Sequence, residues 1–276
     1  MTQFTYHRPD GLAAAFELLS AEGAVALSGG TDLLVAIRHR KSRPRVVVDL
    51  KTVGEIGDEV SNDGENVWIG GRVVMRQIVE DPNLVSQFPA LVAAARVVGS
   101  VQIRNRATLA GNLCNASPAA DTAPPLIAYS AVAAVAGPDG ARVVPVDELF
   151  IGPGKTVLGP GEVVTSIGLP LPERPVGSAF ARVARRRGVD LASVNLACVV
   201  DDSGRVRFGI GAMGPTPLSV DSTIHDLESD DGWRRLLSVA TPISDVRASA
   251  RYRSAMLEVH SRRALGKAVE ILRTAT

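Results

Sequence analysis

The chain has 276 residues, 46% apolar and only 4% aromatic, with 30 basic and 29 acidic side chains giving a net charge of +1. That composition describes one large or two moderate folded domains with cores of small aliphatic side chains, and it excludes the basic footprint of a nucleic-acid binder. Two cysteines cannot hold an iron–sulfur cluster, which takes about four, and no C-x-x-C or H-E-x-x-H spacing points to a bound metal. The first residues, "MTQFTYHRPDG", lack the apolar stretch of a secretory signal, and the longest nearly apolar run, 126–137, is too short to span a bilayer. A soluble, cytoplasmic protein is expected.

In chain order, "DGLAAAFELLSAEG" (10–23) places Leu12, Ala15, Phe16 and Leu19 on one helical face, with Asp10 as N-cap and Gly23 as the stop. A short strand "AVALS" follows, then the Gly29-Gly30 turn and a helical "TDLLVAIRHR" with Thr31 at its start. "RVVVDL" (45–50) reads as a buried strand, and "NVWIGGRVVMRQIVED" as a strand, a second Gly-Gly break and a short helix. "FPALVAAARVVGS" (88–100) is helical, with Pro89 suited to its first turn. The stretch "VQIRNRATLAGNLCNASPAAD" has no sustained period and reads as a polar, small-residue connection. "AVAAVAGPDGARVVPV" (131–146) predicts a hairpin at Pro138-Asp139-Gly140. A Pro-rich segment between 170 and 177 marks a domain boundary. Beyond it, "AFARVARRR", "SVNLACVVD" and "RVRFGIGAMG" predict successive antiparallel strands, with a turn at Asp202-Ser203-Gly204. Two helices close the chain, the second from about 246 to 273. Cys198, in "VNLACVV", reads as a small buried hydrophobe.

Two glycine motifs are decoys. "GIGAMG" (209–214) matches G-x-G-x-x-G, but Pro215-Thr216-Pro217 follows, where the dinucleotide fingerprint demands a helix whose N-terminus faces a pyrophosphate. It reads instead as a small-residue strand ending in a proline turn. "GPGKT" (152–156) ends like a P-loop, yet Leu149 stands where the first glycine belongs, and Gly159-Pro160-Gly161 denies it a helix.

Two other loops carry chemistry. In "ALSGGTDLL" a strand precedes and a helix follows, so the absence of Cβ atoms at Gly29 and Gly30 lets backbone N–H groups approach phosphate oxygens. Asp32 would repel a phosphate and is expected to cap the helix or turn away; an ordinary tight turn is the alternative reading. In "RNRATLAGNLCNASPAAD", Thr108 and Asn112 flank Gly111, and Asp121 follows. Two separate polar, small-residue loops in one chain suit one extended ligand between them, with a diphosphate, a hydroxylated chain and two rings; plain connections of an α+β fold are the alternative.

"SGGTDLL", "QIRNRATLAGNLCNASPAAD" and "GPGKTVLGPGEVVTSIGLP", in that order and with "SDVRASARYRSAMLEVHSRRAL" near the end, resemble the FAD-binding (medium) subunit of molybdenum hydroxylases, which include carbon monoxide dehydrogenase and xanthine-dehydrogenase-like enzymes. The resemblance implies an α+β chain: a two-subdomain FAD-binding domain of the p-cresol methylhydroxylase type over 1–173 (subdomains about 1–55 and 56–173), then a smaller α/β C-terminal domain over 177–276 with an antiparallel sheet and helices. It implies that backbone from Leu27 through Ser28, Gly29, Gly30, Thr31 and Asp32 to Leu33 holds the FAD diphosphate. Thr108, Gly111 and Asn112 would form the second loop, Asp121 would bond the polar chain of the cofactor, and Val163 and Val164 would line an adenine or ring slot. Arg182 falls where the family often has a lysine near the flavin. The family loop is usually T-x-G-G-N; here Ala110 adds a methyl to it. An FAD-dependent oxidoreductase subunit is implied, partnered by an iron–sulfur small subunit and a molybdenum-cofactor large subunit, passing electrons to an external acceptor. The rivals are a stand-alone FAD oxidoreductase of the same fold and a flavin-free scaffold. Arg185-Arg186-Arg187 reads as a solvated strand edge or as part of a subunit or nicotinamide contact.

Overall fold

A computed structural model describes residues 3–186 and 188–275. The first 50 residues alternate short strands and helices: β1 (Thr5–His7), α1 (Leu12–Leu19), β2 (Ala24–Leu27), α2 (Leu33–Arg38) and β3 (Val46–Asp49). The three strands form a parallel sheet ordered β1-β3-β2. Its buried centre, Val47 and Val48, is the all-apolar run that a covered parallel strand requires. Gly11, not Asp10, occupies the N-cap position of α1 and supplies no side-chain cap. The Leu12 N–H is taken instead by Glu55 Oε1 at 3.0 Å, so the helix start is satisfied from across the fold. The second helix starts at Leu33, two residues after Thr31, with Asp32 at its N-cap position and no side-chain cap bond.

The next unit is built on a five-stranded antiparallel sheet ordered β4-β5-β10-β6-β7. Its strands are β4 (Val60–Asn62), β5 (Asn66–Gly70), β6 (Val132–Gly137), β7 (Gly140–Pro145) and β10 (Val163–Pro170). Between β5 and β6 run six short helices: α3 (Met75–Glu80), α4 (Pro82–Gln87), α5 (Pro89–Val97), α6 (Val101–Arg104), α7 (Leu109–Cys114) and α8 (Ala123–Ala128). Two of them occupy the stretch expected to be irregular. Each is nucleated by a cap rather than by an apolar stripe: Ser100 Oγ accepts from Ile103 N at 3.3 Å, and Thr108 Oγ1 from Gly111 N at 3.1 Å. Helices of four and six residues are too short to show a period. The rejected P-loop is a tight hairpin of β8 (Phe150–Gly152) and β9 (Lys155–Thr156), with Gly154 at φ +69° in its turn.

The C-terminal sheet is antiparallel throughout, β11 (Val176–Val183), β12 (Val194–Asp201), β13 (Arg205–Gly211) and β14 (Leu218–Thr223), in that order. The last strand lies outside the sequence expectation. Leu196, Cys198 and Val200 of β12 point into a core shared with α9 (Asp230–Leu237) and α10 (Ala250–Ala275). The alternate residue Ala197 points into the core of the preceding unit, where α8 lies across β12 and β13. A period-2 strand thus joins two cores. The last helix begins at Ala250 because Asp245 Oδ1 accepts from Arg247 N at 2.8 Å and Ala248 N at 3.2 Å, holding the preceding residues in a turn. No helix among the described residues is long and apolar enough to cross a membrane.

Candidate functional site

The parallel sheet and the antiparallel sheet meet at a cleft of about 670 Å³. One jaw is the turn from β2 into α2, the other the start of α7. Of the residues expected at the site, Ser28, Gly29, Gly30, Thr31, Asp32, Leu33, Thr108, Gly111, Asn112, Val163 and Val164 line this cleft. Leu27 lies beneath it as the buried last residue of β2.

The jaws touch. Ser28 Oγ and Thr108 Oγ1 are 3.1 Å apart, and Thr108 Oγ1 also receives the Gly111 N–H. A Cβ on Gly29 would stand 2.1 Å from the Arg106 carbonyl oxygen, so glycine there is required by the meeting of the two segments. Gly30 has φ +77°, a conformation that any Cβ strains. These conformations leave the N–H groups of Gly29, Gly30, Thr31, Asp32 and Leu33 without a protein acceptor among the described residues, beside the cleft. A run of unpartnered N–H groups at a cleft wall is an anion cradle. Asp32 is exposed, as its charge demands near such a cradle.

Across the cleft, Asn112 Oδ1 accepts from the buried Thr122 Oγ1 at 2.6 Å, which orients its amide NH₂ as a donor. Apolar walls come from Leu50, Ile56, Val98, Ile103, Leu158, Val163 and Val164. Ala110 sits inside α7, is 5% exposed and belongs to the main core, and its φ is not positive. Ala110 also lines the cleft, so its methyl packs into the core at the cleft wall.

Asp121 and Arg182 stand elsewhere than expected. Neither lines the cleft; they pair with each other, Arg182 Nε lying 3.1 Å from both carboxylate oxygens. Asn195 Nδ2 donates to Asp121 Oδ1 at 2.8 Å, completing a buried junction between α8's approach and the C-terminal sheet. Burial raises the Asp121 carboxyl above its usual range, outweighing Arg182 and Asn195. Arg185 and Arg186 are exposed and turn back on their own loop: Arg185 Nη2 lies 3.4 Å from Asp190 Oδ1, and Arg186 Nε donates to Val189 O at 3.0 Å. Arg187 lies outside the described residues.

Sequence reasoning missed several residues that line or back the cleft. Gly154, from the rejected "GPGKT", lines it, because the hairpin is held there by Gly154 N donating to Ala116 O at 2.9 Å. Cys114 lines it with a thiol that burial pushes up to about 12, so the side chain is an inert wall. Glu162 lines it too, paired with Arg142 at 2.8 Å. Arg72, at the second Gly-Gly break, also lines the cleft, and Lys51 backs its loop. The Gly70-Gly71-Arg72 break was the one signal available for them.

A strand–loop–helix cradle facing a capped helix across a partly apolar cleft is the arrangement of a ligand-binding site for a phosphorylated cofactor. Two family models cover the chain: the FAD binding domain in molybdopterin dehydrogenase matches residues 2–172, and the CO dehydrogenase flavoprotein C-terminal domain matches residues 179–268. The chain belongs to this family of FAD-binding oxidoreductase subunits, and FAD is its cofactor. It is 32% identical over 282 residues to the xanthine dehydrogenase FAD-binding subunit of Escherichia coli O157:H7, covering 96% of each. It is 29% identical over 280 residues to the carbon monoxide dehydrogenase medium chain of Hydrogenophaga pseudoflava, covering 96% of this chain and 97% of that one. A solved structure of carbon monoxide dehydrogenase from the same organism superposes with a TM-score of 0.89 at 27% identity, covering 98% of both chains.

Proposed function

We propose that this chain holds FAD between its two jaws and serves as the electron-transfer medium subunit of a heteromeric molybdenum hydroxylase. The observation that carries the reading is the row of five backbone N–H groups, 29–33, without a protein acceptor among the described residues, on a cleft whose other wall is the capped start of α7. A diphosphate suits that row in charge and in hydrogen-bonding character. Backbone from Leu27 to Leu33 would hold it, Thr108, Gly111 and Asn112 would close the second side, and Val163 and Val164 would face a ring. Asp121 and Arg182 act as a paired strut between the approach to α8 and the C-terminal sheet.

Held there, FAD would supply the redox chemistry that links an iron–sulfur partner to an external acceptor. The chain's own residues need only bind, orient and shield, so no acid–base constellation is required of them. A molybdenum-cofactor large subunit completes the assembly. The reading keeps the chain in the cytoplasm, where the free Cys114 and Cys198 stay reduced.

Titrating the flavin-stripped chain with FAD tests the cofactor reading: one equivalent should bind saturably, and a chain that takes up no FAD overturns it. Purification from the native host tests the assembly, and recovery without iron–sulfur and molybdenum subunits would overturn that part.

A further inference from the structure

Ser28 is the last residue before the N–H row, and it is gripped from two sides. Its hydroxyl meets Thr108 Oγ1 at 3.1 Å, and its carbonyl receives Lys51 Nζ at 3.3 Å. Lys51 follows β3, the central strand of the parallel sheet. Its ammonium is held by Asp49 Oδ1 at 2.5 Å, and the Lys51 N–H also donates to Asp49 Oδ1, at 3.0 Å. The second oxygen of Asp49 accepts from Tyr6 OH. Asp49 is 2% exposed. Burial opposes its ionisation, but the Lys51 and Tyr6 bonds prevail and hold its carboxyl below the usual range. From the other side, Arg72 Nη1 donates to the Lys51 carbonyl at 2.7 Å, and Arg72 is itself anchored to Asp58 at 3.2 Å. Contacts therefore run unbroken from the antiparallel sheet through Arg72 and Lys51 to the loop.

Beside the loop lies a smaller cavity of about 260 Å³, lined by Lys51, Asp58 and Arg106 among others, which shares Ser28, Gly29, Arg72 and Thr108 with the main cleft. The Ser28 carbonyl and the Gly29 N–H belong to one planar trans peptide unit and so point in opposite directions. Drawing the carbonyl toward Lys51 turns the first N–H of the row away from the ammonium, toward the cleft.

We propose that Lys51 is a positioning residue for the diphosphate cradle. It sets the Ser28–Gly29 peptide plane so that the N–H row faces the cofactor, while Asp49 holds and balances its charge. The proposal rests on the FAD reading and reaches beyond it, since Lys51 touches the loop and not the cofactor.

The test compares FAD with riboflavin, which lacks the diphosphate, as ligands of the full-length, flavin-stripped chain. Lys51→Met should weaken FAD binding about tenfold, the equivalent of one charge-assisted hydrogen bond of ~1.4 kcal/mol. Riboflavin affinity should stay within about twofold, and Lys51→Arg should recover most of the FAD affinity. Equal weakening of both ligands would make the residue merely structural and overturn the proposal, as would unchanged FAD affinity. Wild-type chain that fails to bind FAD would instead sink the underlying cofactor reading. If Lys51→Met does not fold because Asp49 is left buried and unpaired, the pair Asp49→Asn with Lys51→Met removes that carboxylate, and the same FAD-against-riboflavin difference decides.

Discussion

Gly29 and Gly30 are adjacent, yet their constraints differ in kind. A methyl on Gly29 would lie 2.1 Å from the Arg106 carbonyl, a collision of backbone with backbone that only separation of the two jaws relieves. Gly30 is constrained by its φ of +77°, and the nearest atoms to a methyl there are the flexible ends of Leu27 and Leu34. The left-handed conformation costs an ordinary residue ~1–2 kcal/mol. Gly30→Ala should therefore lose about that much stability and keep measurable FAD binding, whereas Gly29→Ala should lose more and release FAD. Denaturant midpoints and FAD titration of the two variants check this, and the reverse order would refute it. The turn between β2 and α2 was legible in "SGGTDLL", whose letters fit an ordinary tight turn as well as a cradle. What the letters could not show is that Arg106 rests on Gly29, that Lys51 grips Ser28, or that Asp121 turns from the cleft to Arg182. Each of those contacts joins residues far apart in the chain, and no local pattern encodes them.

At the scale of the element, "GIGAMG" shows glycines required by packing. A methyl on Gly209 would stand 2.0 Å from the Pro124 carbonyl, and one on Gly211 would stand 2.1 Å from Asn195 Oδ1. The first two glycines let α8 lie directly on the C-terminal sheet. Gly214, the third, has no neighbour nearer to a methyl than 3.4 Å. Gly209→Val should thus displace α8 and destabilise the chain by ~3 kcal/mol or more, while Gly214→Ala should stay within about 0.5 kcal/mol of wild type. Thermal or denaturant unfolding reads both, and comparable losses would contradict the packing account. Long periodic elements such as the three β11–β13 strands were readable in advance. The edge strand β14 was not, because none of its six residues is fully buried and its apolar alternation stops after Leu218 and Val220. Nor were α6 and α7, whose existence depends on two capping hydroxyls rather than on a stripe.

For the whole molecule, the buried contacts between the cofactor unit and the C-terminal sheet are polar as well as apolar. Tyr129 OH and Ser178 Oγ lie 2.6 Å apart, Arg207 bridges to Asp147 at 2.8 Å, and the Arg182–Asp121 pair sits between the two cores. Charge therefore couples the integrity of the cleft to pH. Hydrogen bonding to Arg142 lowers the Glu162 carboxyl from 4.5 to about 2, and Asp49, Asp201 and Asp245 are lowered as well. For each, the folded state holds its proton less tightly than the unfolded state. The stability they add is present above the unfolded value and is lost as pH falls through the folded one. Asp121 has the opposite sign: burial raises it, so its contribution is greatest below 3.8 and declines as pH rises through its folded value. Glu55, Asp63 and Asp190 are lowered too, and seven lowered carboxylates against one raised give a net acid sensitivity. The melting temperature should fall as pH drops from 4.5 toward about 2, the window of Glu162. Glu162→Gln should melt lower than wild type at neutral pH and show a shallower decline in acid, since it has lost the titrating half of the Arg142 pair. Melting curves across that range decide the matter: a wild-type curve that rises on acidification, or a Glu162→Gln curve parallel to it, would contradict the assignment of these carboxylates.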